Sequence, residues 1–222
     1  MSGPGAIRVA VVNDYEIVVA GIASLIAPYG DRVAVVELDT GVPVLSEVDV
    51  ILYDTFGQVQ GDGVDLEDLV HGSDARVAIF SWNTDADLVR RALERGASAY
   101  LSKGLSALAI VEALERVHRG ETVIPDGPGP VEVVAGGWPG REHGLTAREA
   151  EVVALITQGL SNQEIADRSY LSINSVKTYI RTAYRKMGVG SRSQAVGWGV
   201  QHGFATRRTR VVRPEVSGPD QR

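Results

Sequence analysis

The 222-residue chain contains no cysteine, which excludes disulfide bonds, thiolate zinc sites and cysteine nucleophiles. It also lacks any apolar run near the roughly 20 residues that a membrane-spanning helix needs. Its first residues, MSGPGAIR, do not contain the apolar core of a secretion signal. From these absences we expect a chain that works in the cytoplasm and has no membrane partner.

Motifs of the common enzyme classes are missing as well. There is no GxSxG turn of a hydrolase and no GxxxxGK[ST] loop of a nucleotide-binding enzyme. The four histidines are scattered without the spacing of metal ligands: His71, His118, His143 and His202. The sequence therefore shows no sign of a metabolic enzyme.

What the chain does have is an uneven distribution of charge. Its formal net charge is −6, but from Arg141 onward there are 13 Lys and Arg against 7 Asp and Glu, whereas the preceding residues carry 9 against 21. An acidic body followed by a basic segment is typical of a protein in which only one domain meets phosphate groups. We therefore predict two domains and assign contact with nucleic acid to the second.

The first 120 residues alternate between β-branched apolar runs and helical patterns. Such runs are typical of parallel strands that are buried on both faces. The predicted strands are 7–12, 33–36, 48–53, 77–80 and 97–101, and the predicted helices are 17–26, 64–70, 87–94 and 106–118. This alternation predicts an α/β domain with a doubly wound, five-stranded parallel sheet. Residues 38–48 are too few for a full helix with two loops, so the helix after the second strand is predicted to be stunted or absent.

Polar side chains follow the ends of these predicted strands. Asn13 and Asp14 follow the first, Asp54 ends the third, Ser81 follows the fourth and Lys103 the fifth. Each of them alone is more often a helix cap or an ordinary loop residue. Because ligands bind at the carboxyl ends of strands in open α/β sheets, the five together form a candidate acidic pocket for Mg²⁺ and a phosphoryl group. In this pocket Asp54 is the attacking carboxylate, and Lys103 and Ser81 contact the phosphoryl oxygens.

Residues 145–204 carry the signals of a small all-α domain. Capping residues open three helices at Thr146, Ser161 and Ser172, and glycines end two of them at Gly159 and Gly188. The apolar residues of the third helix, 173–187, recur at spacings of three and four, which predicts one buried face. The short connection 167–171 before it predicts a helix-turn-helix whose second helix enters the major groove of DNA.

The third predicted helix carries a basic face opposite its apolar face. Lys177, Arg181 and Arg185, here called the basic stripe, recur every four residues, with Asn174 and Thr178 beside them. Cations in this arrangement bind phosphates, and short polar side chains reach base edges. A solvated surface is the alternative explanation. The caps, the turn and the preceding helix favour DNA binding.

Residues 145–196 resemble the DNA-binding domain of the NarL/FixJ/LuxR family of bacterial transcription regulators. Residues 145–152 match the family's LTxRExEV opening, residues 159–166 its GLSNxEIA segment, and residues 186–196 its KLGVxxRxqAV ending. Residues 175–179 match the signature of its recognition helix, with Tyr179 where His is usual. The resemblance implies a homodimer that binds double-stranded promoter DNA and works with RNA polymerase. The candidate DNA-binding residues are Lys177, Thr178, Arg181, Asn174, Ser175 and Arg185.

Residues 6–120, with the pocket residues above, are similar to the receiver domain of two-component response regulators. The resemblance implies a flavodoxin-like strand order and phosphorylation of Asp54 by a histidine kinase. It also implies that Asp14 and the carbonyl oxygen of Phe56 bind Mg²⁺ together with Asp54. Tyr100, three residues before Lys103, stands at the family's aromatic switch position and is expected to move with Ser81 on phosphorylation.

The pocket departs from the receiver pattern in three places. Asn13 stands where an acidic residue is usual, so Asn13 brings no charge to the metal site and Mg²⁺ binding is expected to be weaker. The loop after Asp54, TFGQVQGDG, lacks the usual Met-Pro, and Trp82 is large where a small residue is usual. Two hypotheses follow: a conventional receiver that phosphorylation of Asp54 activates, or an atypical receiver with weak or no phosphorylation. The two handicaps, a missing charge and added bulk, favour the second.

The sequence predicts four segments: a receiver-like domain at 1–120, a Pro- and Gly-rich linker at 121–144, the helix-turn-helix domain at 145–204 and a disordered, arginine-containing tail at 205–222. Trp138 in the linker either packs on a domain or is exposed. Two other functions remain open. One is a phosphoryl relay whose helical domain binds proteins, and the other is an initiation-factor-like domain that meets DNA only within RNA polymerase.

Overall fold

The computed structural model describes residues 5–39, 44, 46–57, 66–70, 73–125, 138–205 and 210–212. The N-terminal domain is built on five parallel strands: β1 (Ile7–Val12), β2 (Val33–Asp39), β3 (Val50–Asp54), β4 (Arg76–Ser81) and β5 (Ala99–Ser102). Within these five the order is β5-β4-β3-β1-β2, which confirms the doubly wound, flavodoxin-like arrangement. All five carboxyl ends therefore lie at one edge of the sheet.

Helices cover both faces of this sheet. One face packs against α1 (Glu16–Ile26) and α4 (Ala107–His118), and the other against α2 (Leu66–Val70) and α3 (Ala86–Glu94). Alternate residues of β1 enter the two layers, because successive side chains of a strand point to opposite faces. Val9 and Val11 join the first layer, and Ala10 and Val12 the second. No helix occurs among residues 44 and 46–49, the part of the β2–β3 connection that is described, in agreement with the prediction.

A sixth strand, β6 (Arg210–Val212), extends the predicted sheet of five parallel strands and was not predicted. It pairs antiparallel with β2 at Glu37, Leu38 and Asp39. It also corrects the expectation of a disordered tail for these three residues. The pairing satisfies backbone groups that would otherwise be open at the edge of the sheet. The other tail arginines, Arg207, Arg208, Arg213 and Arg222, lie outside the described residues.

The C-terminal domain contains α5 (Ala147–Thr157), α6 (Asn162–Ser169), α7 (Ile173–Met187) and α8 (Arg192–Gln201). The predicted caps are present: Thr146 and Ser161 form complete capping boxes, and the Ser172 hydroxyl accepts from the Ser175 amide. The third predicted helix, α7, has the predicted bounds. Gly188 ends it in the left-handed region, at φ 69°.

The turn of the helix-turn-helix is shorter than predicted. The connection was expected at 167–171, but α6 continues to Ser169 and ends at Tyr170, which adopts a left-handed φ of 52°. Sequence signals missed this end because a tyrosine rarely takes such a conformation. Only Tyr170, Leu171 and Ser172 therefore separate α6 from α7.

Packing of the C-terminal domain begins before its predicted boundary at residue 145. The Trp138 indole N–H donates to the Leu145 carbonyl at 2.9 Å, and the Arg141 guanidinium lies 4.8 Å from the centre of the Trp138 ring. Residues Arg141–His143 form a 3₁₀ turn between Trp138 and Leu145. Trp138 thus packs on the C-terminal domain, whereas linker residues 126–137 lie outside the described part.

Helix α8 lies close against α5 at Gly199. A Cβ atom at Gly199 would lie 3.3 Å from Thr157 Cβ and would collide with the Thr157 hydroxyl. Gly197, two residues earlier in the same helix, has open space around it. The two glycines of α8 therefore differ: Gly199 permits the close approach, and Gly197 does not contribute to it.

Over the described ranges, every helix is too short or too polar to cross a membrane.

Candidate nucleic-acid interface and acidic pocket

The acidic pocket lies at the carboxyl ends of the strands, where the sequence placed it. Asp54 ends β3 and is only 1% exposed. The Lys103 ammonium group, which is also buried, lies 2.8 Å from Asp54 Oδ1. The Phe56 amide donates to the same oxygen at 2.7 Å. The pocket thus holds a buried ion pair whose carboxylate is further stabilised by a backbone donor.

Asn13 occupies the centre of this pocket. Its side-chain Nδ2 donates to Asp54 Oδ1 at 3.2 Å, to the Asp54 carbonyl at 2.8 Å and to the Phe56 carbonyl at 2.9 Å. Its Oδ1 accepts from the Tyr15 amide at 3.0 Å. Every polar atom of this side chain therefore has a partner, which is what a buried amide requires.

The predicted metal ligands do not fit a divalent cation in this arrangement. Mg²⁺ binds oxygen atoms at about 2.0–2.1 Å, but Asp54 Oδ1 and the Phe56 carbonyl both face an amide nitrogen. Asp14 is half-buried, and within the described residues no three acidic or histidine side chains converge as a metal site. The structure brings Asn13, Asp54 and Phe56 together, as predicted. The Asn13 amide, however, donates hydrogen bonds to oxygens of Asp54 and Phe56.

Ser81 and Tyr100 form a second group beside the pocket. The buried Ser81 hydroxyl accepts from the Asn83 amide at 3.1 Å, and the Tyr100 hydroxyl donates to the Asn83 carbonyl at 2.7 Å. Burial raises the pKa of Tyr100 to about 12, although a hydrogen bond with Ser81 opposes this rise. The predicted switch residues are therefore neighbours, and the loop at Asn83 joins them.

The C-terminal domain covers this pocket, which the sequence did not predict. Gln158, directly after α5, donates through Nε2 to the Tyr15 hydroxyl at 3.1 Å and to the Gly57 carbonyl at 3.0 Å. A Cβ atom at Gly57 would lie 2.7 Å from the Tyr15 ring, so the glycine permits the close approach of Tyr15, and it would lie in ordinary contact, at 3.4 Å, with Ala154 of α5. Tyr15 also packs edge-on against Phe56, with ring centres 5.3 Å apart.

A second contact joins the domains near the helix-turn-helix turn. Asn83 donates through Nδ2 to the Ser169 carbonyl at 3.2 Å, and the Arg91 guanidinium lies 5.5 Å from the centre of the Tyr170 ring. These residues gave no signal in the sequence, because Asn, Ser, Arg and Tyr are ordinary residues of loops and helix ends. Only the relative position of the domains brings them together.

The basic stripe of α7 faces solvent in this closed arrangement. Lys177, Arg181 and Arg185 are all exposed, and among the described residues none of them has an acidic partner within ion-pair distance. Asn174 and Thr178 are exposed beside them, although the Thr178 hydroxyl bonds back to the Asn174 carbonyl at 3.0 Å. Cations without protein partners are available to bind phosphates.

Ser175 belongs to the start of α7 rather than to its open surface. Its hydroxyl lies 2.8 Å from the Ser172 hydroxyl, and its amide donates to the same oxygen at 3.0 Å. Among the predicted DNA-binding residues, Ser175 is the one that is half-buried. It therefore helps to fix the first turn of α7.

The other face of α7 is anchored to α5. Val176 and Ala183 are fully buried, and Lys186 donates to Glu149 Oε2 at 2.6 Å. Burial alone would raise the pKa of Glu149, but hydrogen bonds from Lys186 and the Thr146 amide outweigh it and hold that pKa below its ordinary value. One carboxylate thus caps α5 and fixes the orientation of the helix that carries the basic stripe.

The chain is similar to known bacterial regulators over both domains. A family model described as "Bacterial regulatory proteins, luxR family" matches residues 143–198. The transcriptional regulatory protein LnrK of Bacillus subtilis (strain 168) is 31% identical over 220 residues, covering 90% of this chain and 99% of LnrK. The response regulator protein VraR of Staphylococcus aureus (strain Mu3) is 32% identical over 207 residues, covering 88% of this chain and 97% of VraR. Among solved structures, the response regulator ChrA of a heme-sensing two-component system is 28% identical over 89% of this chain and 98% of ChrA, with a TM-score of 0.43.

Proposed function

This chain belongs to the NarL/FixJ/LuxR family of response regulators and is a DNA-binding transcription regulator. We propose that it binds promoter DNA as a dimer, that α7 of each copy contacts the DNA, and that this binding does not require phosphorylation of Asp54. On this proposal the protein acts in the cytoplasm, where its partners are double-stranded promoter DNA and RNA polymerase. The receiver-like domain then acts as a fixed structural unit rather than as a phosphorylation switch. The observation that carries the proposal is the exposed basic stripe on a helix whose opposite face is buried.

The stripe has the geometry that groove binding needs. Lys177, Arg181 and Arg185 lie on one face of α7 at intervals of four residues, and this face is open although the two domains are in contact. In a helix-turn-helix the second helix enters the major groove, where phosphate contacts supply affinity and base edges supply sequence preference. Asn174 and Thr178 are the exposed polar residues placed for the second role.

Pairing of two C-terminal domains is proposed to use α8. Ser193, Gly197 and Val200 are exposed and follow one another at intervals of four and three residues, so they share a face of the helix. Val200 is an apolar residue with 55% exposure. A small-residue face that carries one exposed valine suits the close approach of a second copy of the same helix, as a two-fold axis requires.

Burial of Asp54 supports a receiver that works without phosphorylation. Its carboxylate is 1% exposed and already accepts from Asn13, Phe56 and Lys103. Tyr15, whose hydroxyl accepts from Gln158, packs against the ring of Phe56 beside it. A phosphoryl donor would have to displace this contact before it reached the carboxylate. Because the basic stripe and the α8 face are open in the same structure, DNA binding does not depend on that displacement.

Phosphate transfer and DNA binding of the full chain test the proposal together. We expect saturable binding to fragmented host DNA in fluorescence anisotropy without any phosphoryl donor. Incubation with acetyl phosphate and Mg²⁺ should change neither the intact mass nor the dissociation constant, and Asp54→Asn should behave as wild type. Absence of saturable DNA binding contradicts the α7 assignment, and an Asp54-dependent gain in mass contradicts the atypical receiver.

One observation favours the conventional alternative, in which a histidine kinase activates the protein by phosphorylating Asp54. Asp54, Lys103 and Ser81 lie at adjacent strand ends, and Lys103 is already in contact with the carboxylate that would accept the phosphoryl group. On this hypothesis acetyl phosphate strengthens DNA binding of the wild-type protein, and Asp54→Asn abolishes that effect.

A further inference from the structure

We infer that the side-chain amide of Asn13 takes the place of a divalent cation in the acidic pocket, so that the pocket is assembled and the C-terminal domain is held without metal. This inference deepens the phosphorylation-independent receiver proposed above and rests on it. It assigns to Asn13 a role opposite to that of a metal ligand, because Asn13 acts as the central donor and not as one of the surrounding oxygens.

The first argument is the set of oxygen atoms around one nitrogen. Asp54 Oδ1, the Asp54 carbonyl and the Phe56 carbonyl all lie within 3.2 Å of Asn13 Nδ2. Convergence of a carboxylate and carbonyl oxygens on a single point is the pattern that hard cations such as Mg²⁺ require. Here an amide nitrogen stands at that point, and its two hydrogens serve three acceptors, so one hydrogen is shared between two of them.

The second argument is that the amide cannot turn around. Asn13 Oδ1 accepts from the Tyr15 amide at 3.0 Å. Exchanging the amide oxygen and nitrogen would set that oxygen against three other oxygens and the NH₂ group against a backbone N–H. Both changes leave buried polar groups without hydrogen-bond partners, which is unfavourable. The donor side of Asn13 is therefore fixed towards Asp54.

The third argument is charge. Asp54 and Lys103 are both buried and are paired at 2.8 Å. A neutral amide completes this pair without adding charge. A divalent ion at the same point would add two positive charges next to the buried ammonium group of Lys103, and such charges are costly where they are buried without carboxylate partners. Asp54 and Lys103 therefore neutralise each other without a cation.

The amide also connects the pocket to the second domain. Asn13 fixes the backbone of Tyr15, and the Tyr15 hydroxyl accepts from Gln158 of the C-terminal domain at 3.1 Å. The same Gln158 nitrogen reaches the Gly57 carbonyl, one residue after the Phe56 carbonyl that Asn13 holds. Asn13 is thus a positioning residue that keeps both anchoring points of the C-terminal domain in place.

Titration of the full-length protein with Mg²⁺ tests this role, by isothermal calorimetry and by thermal unfolding with and without EDTA. The wild-type protein should show no saturable binding and no change in melting temperature. Asn13→Asp replaces the donor by a carboxylate, so it should melt lower than wild type without metal, bind Mg²⁺ saturably where wild type does not, and recover its melting temperature when Mg²⁺ is added. Asn162→Asp, which adds the same charge at the start of α6, should gain no Mg²⁺ response.

Two further variants keep the outcome decisive. Asn13→Asp combined with Asp54→Asn should bind Mg²⁺ no better than wild type, because Asp54 is the second charged oxygen ligand. Asn13→Ala removes all three hydrogen bonds that Nδ2 donates without adding charge, and it should melt at a lower temperature than wild type. The inference is overturned if wild type binds Mg²⁺ and Asp54→Asn abolishes that binding, or if Asn13→Ala is as stable as wild type.

The same samples separate this inference from the proposed function. DNA affinity measured in parallel should be equal in EDTA and in Mg²⁺ for the wild-type protein. Mg²⁺ binding by wild type at Asp54 would refute the role of Asn13 and leave DNA binding through α7 intact. Loss of DNA binding in every sample would refute the proposed function and leave the Mg²⁺ titrations interpretable.

Discussion

The side-chain amide of Gln158 donates to the hydroxyl of Tyr15 at 3.1 Å, and with this hydrogen bond the C-terminal domain closes over the acidic pocket. The hydrogen bond joins residues 143 positions apart in the sequence. Burial raises the pKa of Tyr15 to about 12, although the hydrogen bond from Gln158 opposes the rise. The Tyr15 oxygen accepts this hydrogen bond from Gln158, so the contact places one polar atom of each domain in a satisfied pair.

Replacement of Gln158 tests how much this hydrogen bond holds the domains together. Gln158→Ala removes the donor to both Tyr15 and Gly57, so amides in the loops after β1 and β3 should exchange hydrogen faster in deuterium-exchange mass spectrometry. DNA affinity should change by less than about twofold, because the basic stripe is already exposed. Gln163→Ala, an exposed glutamine of α6, is the matched control. Equal exchange in both variants would contradict a clamping role.

Removal of a basic side chain from α7 should weaken DNA binding in a salt-dependent way. For Lys177→Ala and for Arg181→Ala we expect a lower affinity and a decrease of about one in the slope of log K against log salt concentration for each phosphate that the variant no longer binds. Arg90→Ala on α3, an exposed arginine of the other domain, removes the same charge and should leave the slope unchanged. An unchanged slope for Lys177→Ala would remove that residue from the interface.

The two glycines of α8 should respond differently to alanine. Gly199→Ala places a methyl group against Thr157, so it should destabilise the C-terminal domain by about 1–3 kcal/mol. Gly197→Ala meets no atom within 4 Å and should stabilise α8 by about 0.5–1 kcal/mol, because alanine favours a helix. Chemical denaturation of both variants measures the difference. A destabilised Gly197→Ala would indicate that the residue is already packed against a second copy.

The pairing face of α8 can be tested through Val200. Its side chain is 55% exposed, so Val200→Glu should leave the stability of a single chain nearly unchanged. On a DNA site with two half-sites, however, the charge should prevent a second copy from approaching and abolish cooperative binding. Sedimentation of the protein on DNA distinguishes one bound copy from two. Two copies bound by the variant would exclude this face as the dimer interface.

Stability in acid should depend on Glu149. Its folded-state pKa lies below the ordinary value of 4.5, so it contributes stability that is present above pH 4.5 and is lost as the pH falls through the lower, folded-state pKa. Glu149→Gln should cost about 1–3 kcal/mol at pH 7, since Lys186 and the Thr146 amide would then face a neutral acceptor. The unfolding free energies of variant and wild type should converge as the pH is lowered. A constant difference down to about pH 3, well below the ordinary glutamate pKa, would contradict this account.

Elements whose signals are local were predictable from the sequence. Helix α7 begins and ends where Ser172 and Gly188 mark it, because a cap acts within one turn of the helix. The parallel, doubly wound sheet followed from alternation of strands and helices, which restricts the possible connections, whereas its strand order was implied by the resemblance to receiver domains. The basic stripe was visible for the same reason, since a period of four residues describes one helical face.

Features that depend on distant residues could not be predicted in the same way. Strand β6 has three residues and exists through pairing with β2, which lies more than 170 positions earlier in the sequence. The sequence identified Asn13 as a missing charge, but its donor role depends on oxygens of Asp54 and Phe56 that only the fold brings near. Tyr15 and Gln158 are unremarkable until the two domains meet.

The return of the chain to β2 through β6 has a consequence for how the halves of the molecule are connected. The C-terminal domain is joined to the N-terminal sheet twice, once by the linker before Trp138 and once by the strand Arg210–Val212 after α8. A protease cut in the linker would therefore leave a nicked, two-chain particle rather than two separate pieces. A fluorophore carried on β6 would report on the receiver-like half, although its sequence position belongs to the half that reads DNA.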